Sequence, residues 1–230
     1  MNELIWALIT FVGTHFLMSH PLRALMAMRF GTAQFQIVYS VVALATFVWV
    51  VLAFRAAPVT APLWEAGDGL WATASLFMLG GAILLAGSFA GNPALPRPDA
   101  GSLAKSPARG VFAITRHPMM WGFALWALVH LLVSPQEKVI LLTTGLAILA
   151  LGGSAGQDRK KAVVMGEEWR DWAGRTSFIP FGNQLAGKAS WSTAWPGTTT
   201  FLVGVVVWLL ATYAHPLFGA PTAGVWRWLN

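Results

Sequence analysis

The sequence predicts an all-α protein, namely a polytopic membrane bundle of about six transmembrane helices with one amphipathic helix at the cytoplasmic surface. Two observations predict this class. Of the 230 residues, 56% are hydrophobic and only 10% are charged, whereas a soluble domain averages about 25% charged residues. In addition, the basic residues fall on alternate sides of six apolar runs. The length suits one bundle, so residues 1–230 are assigned to a single transmembrane domain.

Most of the six runs approach the ~20 apolar residues that a helix needs to cross ~30 Å of hydrocarbon. The first and fifth are shorter, so they would have to tilt or thin the bilayer. Glycines in the patterns Gly87-x-x-x-Gly91 and Gly152-x-x-x-Gly156 offer small surfaces for close helix packing. The runs are Leu4–Met18, Gln36–Phe54, Leu70–Ala90, Val111–Val133, Val139–Ala155 and Thr198–Ala214.

The first run starts without a basic segment and is not followed by a small-residue cleavage site, so we expect a retained helix and not a signal peptide. The stretch 91–110 after the third run contains four prolines and no hydrophobic period, which predicts an extended connection. In the fourth run Pro118 occupies a first-turn position, where its missing N–H costs nothing.

The fifth run is followed by QDRKKAVVMGEEWRDWAG, residues 157–174, in which apolar residues recur among charges at near-helical spacing. This pattern predicts an amphipathic helix that lies on the cytoplasmic membrane surface. The apolar segment Thr176–Phe181 is predicted to fold back against the bundle before the last run begins.

Twelve of the fifteen Lys and Arg residues lie in three segments, about 19–35, 91–116 and 156–197. Cytoplasmic loops carry the Lys/Arg excess, so both termini are expected on the outer side, which is the periplasm if the membrane is a bacterial inner membrane. Contact with anionic lipid headgroups accounts for the net charge of +6. We therefore expect membrane lipid as a partner and no nucleic acid.

The sequence has no cysteine, which excludes disulfides, thiolate ligands and a cysteine nucleophile. Two of its five histidines, His15 and His130, lie inside apolar runs, where an ionisable group is costly without a partner. A haem between helices could take one imidazole from each, with Arg or Lys at its propionates. The alternative is a hydrogen bond to a neighbouring helix. An offset on the order of 10 Å along the bundle opposes a shared iron.

A second group of polar residues begins at Arg116 and His117, next to Pro118. With Glu167, Glu168 and Arg175 on the later cytoplasmic segment, it could bind a polar, partly anionic cofactor, because an arginine fork suits carboxylate and phosphate. The alternative is a helix start surrounded by ordinary cytoplasmic charges. No catalytic residue is assigned.

The motifs FVGTH, TRHPMMWG, WALVH, GQDRKKAVVMGEEW, RTSFIPF and YAHP, in that order, resemble the NnrU membrane proteins, relatives of the zeta-carotene isomerase. The resemblance implies a polytopic helical protein linked either to denitrification and nitric oxide chemistry or to cis–trans isomerisation with haem b. The implicated axial histidines of the isomerase correspond to His15 and His130. Its alternative cysteine ligand corresponds to Ala127, which removes a thiolate switch.

The Arg-His-Pro segment more distantly resembles isoprenylcysteine and phospholipid methyltransferases, in which Arg-His-Pro-x-Tyr-x-Gly helps to bind S-adenosylmethionine. Here Met120 replaces the tyrosine, whereas Gly122 is retained. Three hypotheses follow. The first is a haem b protein that acts on a lipophilic substrate or with a redox partner. The second is an S-adenosylmethionine-dependent methyltransferase of a lipid or prenyl substrate. The third is a non-enzymatic factor that assists denitrification reductases.

Overall fold

The computed structural model describes residues 1–95 and 97–229, and within these residues all regular secondary structure is helical. Three short 3-10 turns accompany the α-helices, at Trp191–Ala194, His215–Phe218 and Gly224–Trp228. The α-helices in chain order are α1 (Asn2–Ser19), α2 (Arg23–Phe30), α3 (Thr32–Ala56), α4 (Asp68–Gly87), α5 (Ala100–Lys105), α6 (Val111–Ile114), α7 (Pro118–Val133), α8 (Glu137–Val164), α9 (Glu167–Arg175), α10 (Gly182–Leu185) and α11 (Thr198–Tyr213).

Six of these helices, α1, α3, α4, α7, α8 and α11, correspond to the six apolar runs. By length and composition, three described helices can cross a membrane, namely α3, α4 and α8; a fourth span is possible if α1 and α2, bent by 66° at their break, count as one. Helices α7 and α11 have 16 residues each, or about 24 Å, which falls short of the ~30 Å hydrocarbon core. The apolar helices agree with an integral membrane protein, while six spans stay a prediction.

The bundle is built around close helix approaches. Helix α4 packs between α7 and α11, and α8 packs between α1 and α7. On α8, a Cβ at Gly145 would lie 3.1 Å from Leu8, and one at Gly152 would lie 2.9 Å from the ring of Phe16. Small residues therefore let α1 lie directly against α8, in agreement with the small face expected around Gly152.

Three connections meet at one end of the bundle, called the basic end below: the links α1–α3, α4–α7 and α8–α11. There the ring of His20 faces Gly156 on α8, and Lys161 Nζ donates to the carbonyl of Pro93 at 2.9 Å. The three basic segments therefore share one end of the molecule, as the charge pattern predicts.

Both termini lie at the opposite end. The Trp49 indole, about two turns before the end of α3, donates to Glu3 at 3.4 Å, and Arg227 pairs with Asp68 at the start of α4 at 3.1 Å. The chain therefore alternates between the two ends of the bundle, as the sequence predicts.

The predicted amphipathic surface helix takes a different form. Helix α8 continues without interruption to Val164, and Gly166, with a φ of 59°, separates it from the short α9. Trp169 and Trp172 of α9 are only 1% and 2% exposed, because they pack in a cluster with α6. The two tryptophans therefore contact the protein and not lipid, whereas Val163 and Val164 at the end of α8 are exposed. Contact of this segment with the membrane surface stays a prediction.

The fourth run is also divided. Residues 115–117 are not helical and separate α6 from α7. His117 lies directly before Pro118, where helical geometry is disfavoured. Pro118 then occupies the first turn of α7, as predicted. The preceding connection, residues 91–110, is not wholly irregular, since it contains α5.

Candidate functional site

A large cavity of about 1400 Å³ lies between α1, α3, α7, α8 and the segment 94–101. Small-molecule sites usually measure ~300–1,000 Å³, so this cavity could hold a ligand of unusual size. It is lined along much of α3, from Phe35 to Phe54, and along α8, from Leu142 to Val164. It therefore follows the bundle axis from the basic end towards the end that carries the termini.

Aromatic rings from three helices form much of the cavity wall. Flat rings on several sides favour a flat or conjugated ligand, because aromatic faces gain from offset or edge contacts with π-systems. These aromatic residues are Phe11, Phe16, Phe35, Tyr39, Phe47, Phe54, Phe123 and Trp126.

The cavity has four basic side chains at the basic end, and no Asp or Glu is among its described lining residues. Two of them have partners within the protein: Lys161 donates to backbone carbonyls, and Arg97 pairs with Asp99 at 2.5 Å, a hydrogen bond that lowers the pKa of that carboxyl. The other two, Arg23 and Lys160, form no ion pair with any described residue. This end of the cavity therefore suits an anionic group.

His15 lies in the wall of the large cavity. Its Nδ1 is 2.7 Å from the carbonyl oxygen of Phe11, one helical turn earlier. A carbonyl oxygen only accepts, so in the neutral ring Nδ1 carries the proton and Nε2 carries a lone pair. Within the described residues this Nε2 has no hydrogen-bond partner, which makes His15 available as a ligand to a metal.

His130 does not line the large cavity. Its ring stacks on Trp126 at 4.2 Å and faces His215 at 6.0 Å. The positions of the two histidines along α8 give the offset between them. Phe16, next to His15, faces Gly152, whereas the short turn from α7 into α8 places His130 beside about residue 140. The two histidines are thus roughly 16 Å apart along the axis. The structure does not bring the two predicted axial ligands to one cavity.

Arg116 and His117 meet at Asp158 on α8. Arg116 donates to Asp158 Oδ2 through Nε at 2.9 Å and Nη2 at 2.6 Å, and to Oδ1 through Nε at 3.1 Å. His117 Nε2 is 2.7 Å from Oδ1. The His117 side chain is 1% exposed. Both side chains therefore hold the start of α7 to α8 and do not face the large cavity.

The segment that follows α9 completes this network, as its predicted return to the bundle implies. The carbonyl of Phe178 accepts hydrogen bonds from Thr115 Oγ1 and Trp121 Nε1, each at 2.7 Å, and the backbone N–H of Arg116 donates to the carbonyl of Ser177 at 2.8 Å. The motifs TRHPMMWG and RTSFIPF thus contact each other.

The remaining predicted cofactor ligands line a separate cleft of about 700 Å³ beside α5 and α9. Glu168 pairs there with Lys105 at 2.9 Å. Arg175 donates to the carbonyls of Ser106 and Ala104 at the end of α5, while Glu167 lines the same cleft. Thus Arg116 and His117 do not share a site with Glu167, Glu168 and Arg175.

Sequence reasoning assigned no ligand role to Arg23 and Lys160, because a single basic residue in a cytoplasmic segment looks like any other. Their spacing of 137 positions carries no local signal, and only the contact of α1 with α8 places both at the cavity. Among the described residues, no group of three or more His, Asp or Glu side chains could hold a metal ion.

Comparison with known proteins adds a family relationship to this geometry. The chain matches the family described as "NnrU protein" over residues 3–222. It is also similar to the chloroplastic 15-cis-zeta-carotene isomerases of Zea mays, 31% identical over 114 residues, and of Arabidopsis thaliana, 35% identical over 79 residues.

Both similarities are partial. They cover 48% and 34% of this chain, but only 31% and 22% of the length of the maize and Arabidopsis proteins. No solved structure shows significant similarity to the chain.

Proposed function

Because this chain belongs to the NnrU family, we propose that it is a membrane-embedded, haem b-binding isomerase that converts a cis double bond of a lipophilic polyene to trans. The large cavity is the observation that carries the proposal. It is long, its walls are aromatic, and it runs along the helices that are apolar enough to lie in a bilayer. The relatives are named as isomerases of 15-cis-zeta-carotene, and such a conjugated hydrocarbon matches these walls.

The residues of the cavity fit haem b at its two chemically distinct parts. His15 offers a lone pair on Nε2, and its Nδ1–H bond to Phe11 fixes the ring in the way typical of metal-bound histidines. Arg23 and Lys160 suit the two propionates at the basic end. Of the two histidines predicted as axial ligands, His15 is the one that lines this cavity. The offset of about 16 Å along the bundle opposes ligation of the same iron by His130.

In this proposal the protein binds the polyene and the cofactor, orients them and shields them from water. The aromatic walls hold a polyene flat and exclude water, because they present few polar groups to it. Arg23 and Lys160 would neutralise the carboxylates of the cofactor, and His15 would hold its iron. When bound, haem supplies a redox-active iron to the cavity. The protein lies in the membrane with its basic end on the cytoplasmic side, as the Lys/Arg excess favours.

The proposal is tested by expressing the chain in a bacterial host that accumulates a 15-cis polyene and by measuring the cis and trans products chromatographically. Leu146→Trp extends a ring into the cavity, whereas Leu132→Trp, at a site 37% exposed outside it, is the matched control. We expect conversion by the wild type and by Leu132→Trp, and a large loss with Leu146→Trp. An unchanged cis fraction with folded wild-type protein in the membrane contradicts isomerase activity.

Two other hypotheses have less support from the geometry. Arg116 and His117 are bonded to Asp158, so they are poorly placed to bind S-adenosylmethionine, and calorimetric titration with that cofactor tests the point directly. A role in denitrification would use the same haem for electron transfer, or no cofactor if the protein only assists assembly. Neither predicts conversion of a cis polyene.

A further inference from the structure

The large cavity has an opening along one side of the bundle. Helix α3 packs on α1, α1 packs on α8, and α8 packs on α7, so these four helices form a trough. Among the described residues, no helix packing of comparable extent joins α3 to α7, the two outer helices of this trough. Both nevertheless line the cavity, α3 with Phe47 and α7 with Phe123. The space between α3 and α7 is therefore a lateral opening of the cavity.

Phe47 and Phe123 lie at the same depth on the two sides of this opening. The ring of Phe47 is 5.9 Å from that of Phe11 on α1. Helices α1 and α8 run in the same direction and Phe16 faces Gly152, so Phe11 lies beside about residue 147 of α8. The short turn from α7 into α8 places Phe123 beside the same part of α8, again about residue 147.

Both rings are only half covered by the protein. Phe47 and Phe123 are 46% and 45% exposed although both line the cavity, so each ring borders the cavity and also the surroundings of the bundle. Helix α3 can cross a membrane, and Phe47 lies near its middle. In the membrane, the surroundings at this depth are hydrocarbon and not water.

We propose that the opening between α3 and α7 is a lateral portal, through which a lipophilic polyene enters the cavity from the hydrocarbon core of the bilayer. The nature of the substrate rests on the proposed isomerase function, whereas the portal itself rests on the helix packing. A polyene hydrocarbon strongly prefers apolar surroundings to water, and this route keeps it in such surroundings throughout. The aromatic rings of Phe47 and Phe123 also present π-systems to a conjugated chain.

The position of the portal suits the arrangement of the cavity. Phe11, which marks the depth of the portal, lies four residues, or about 6 Å, from His15 towards the end that carries the termini. Arg23 and Lys160 line the cavity at the basic end, on the other side of His15. A chain that enters between α3 and α7 therefore reaches His15 without passing these two cations.

The first test closes the portal with a covalent link. The chain has no cysteine, so a bismaleimide applied to Phe47→Cys/Phe123→Cys reacts selectively at the two sides of the opening. The matched control is Phe47→Cys/Val51→Cys, because both of these residues line the cavity and lie one helical turn apart on α3. Linkers of increasing length are applied to the full chain in vesicles. Mass spectrometry determines the linked fraction, and chromatography measures conversion of a 15-cis polyene supplied in the bilayer.

We expect a link between α3 and α7 to remove most of the conversion that the same protein shows before linking. The link within α3 is expected to leave conversion nearly unchanged. Failure of every linker to join the two positions in folded Phe47→Cys/Phe123→Cys, full conversion after linking, or an equal loss in the linked control overturns the proposal.

The second test does not depend on isomerase activity. A small bimane fluorophore is attached to Leu146→Cys, in the cavity wall at the depth of the portal, or to Leu44→Cys, on the exposed surface of α3 outside the cavity. The vesicles contain phosphatidylcholine with a nitroxide near the middle of its acyl chain, which quenches the fluorophore on contact. We expect quenching at both positions.

The two tests separate the portal from the reaction. An unquenched fluorophore at Leu146→Cys, with quenching at Leu44→Cys, overturns the portal even if the protein converts the polyene. Quenching at both positions without conversion by the folded wild type supports the portal and contradicts only the isomerase function.

Discussion

Replacing Asp158 with asparagine tests the role of the network that joins the start of α7 and the segment after α9 to α8. Asp158 is 20% exposed and accepts from Arg116, which is 15% exposed, and from His117, which is 1% exposed. Asparagine has nearly the same size but carries no charge, and its amide nitrogen cannot accept from the guanidinium. The substitution therefore leaves Arg116 without its counter-ion.

The expected magnitude follows from this geometry. Removing one partner of a buried ion pair costs about 3–5 kcal/mol, and the partial exposure of Asp158 together with the remaining amide oxygen reduces this to about 2–3 kcal/mol. For a chain of this length, that corresponds to a fall in Tm of roughly 5–10 °C. Thermal unfolding in detergent, followed by tryptophan fluorescence, measures it.

The control is Asp171→Asn, because the Asp171 side chain is exposed and forms no salt bridge with a described residue. Its Tm is expected to stay within about 2 °C of the wild type. Equal Tm values for the two variants would refute the structural role of Arg116 and His117. In that case Arg116 and His117 would again be candidates for a cofactor site.

Two further predictions concern helix packing and the cavity. Gly204→Ala is expected to lower the Tm by about 5 °C, because the added Cβ would lie 2.8 Å from a Cα of α4; Gly80→Ala, which meets nothing within 4 Å, should not lower it. The double variant Arg23→Gln/Lys160→Gln is expected to weaken retention of haem during gel filtration, measured as the ratio of haem to protein, whereas Arg170→Gln, which lies outside the cavity, should not. Equal haem ratios in the two proteins would contradict an anion site at the basic end.

The membrane class and the positions of the long helices could be predicted from the sequence, because apolar length and Lys/Arg alternation act over whole segments. Pro118 is an example at single-residue level, since a proline at the first helical turn is recognisable without tertiary contacts. The sharing of one end by the three basic connections also followed from the alternation alone.

The segment 157–174 shows what an apolar pattern leaves undetermined. Trp169 and Trp172 have the spacing of an amphipathic face whether they meet lipid or protein, and the sequence gives no sign that α6 covers them. The break at Gly166 depends on a positive φ, and glycine permits this conformation without requiring it.

The site was only partly predictable for a similar reason. His15 could be selected because an imidazole in an apolar run is unusual, and it does line a cavity. The depth of His130 relative to His15 depends on how α1 and α7 lie along α8, and the expected offset of about 10 Å is exceeded by the roughly 16 Å estimated from the helix contacts. Asp158 belonged to a segment already associated with Arg116, but its contact with both Arg116 and His117 needs the folded chain.

The visible spectrum of the purified protein, produced with ample haem and recorded oxidised and then reduced, tests the haem proposal most directly. We expect a Soret band in the wild type that is retained in His20→Ala, which also removes a cavity histidine, and lost or strongly shifted in His15→Ala. A folded wild-type protein without a Soret band, or identical spectra for His15→Ala and the wild type, would contradict the account.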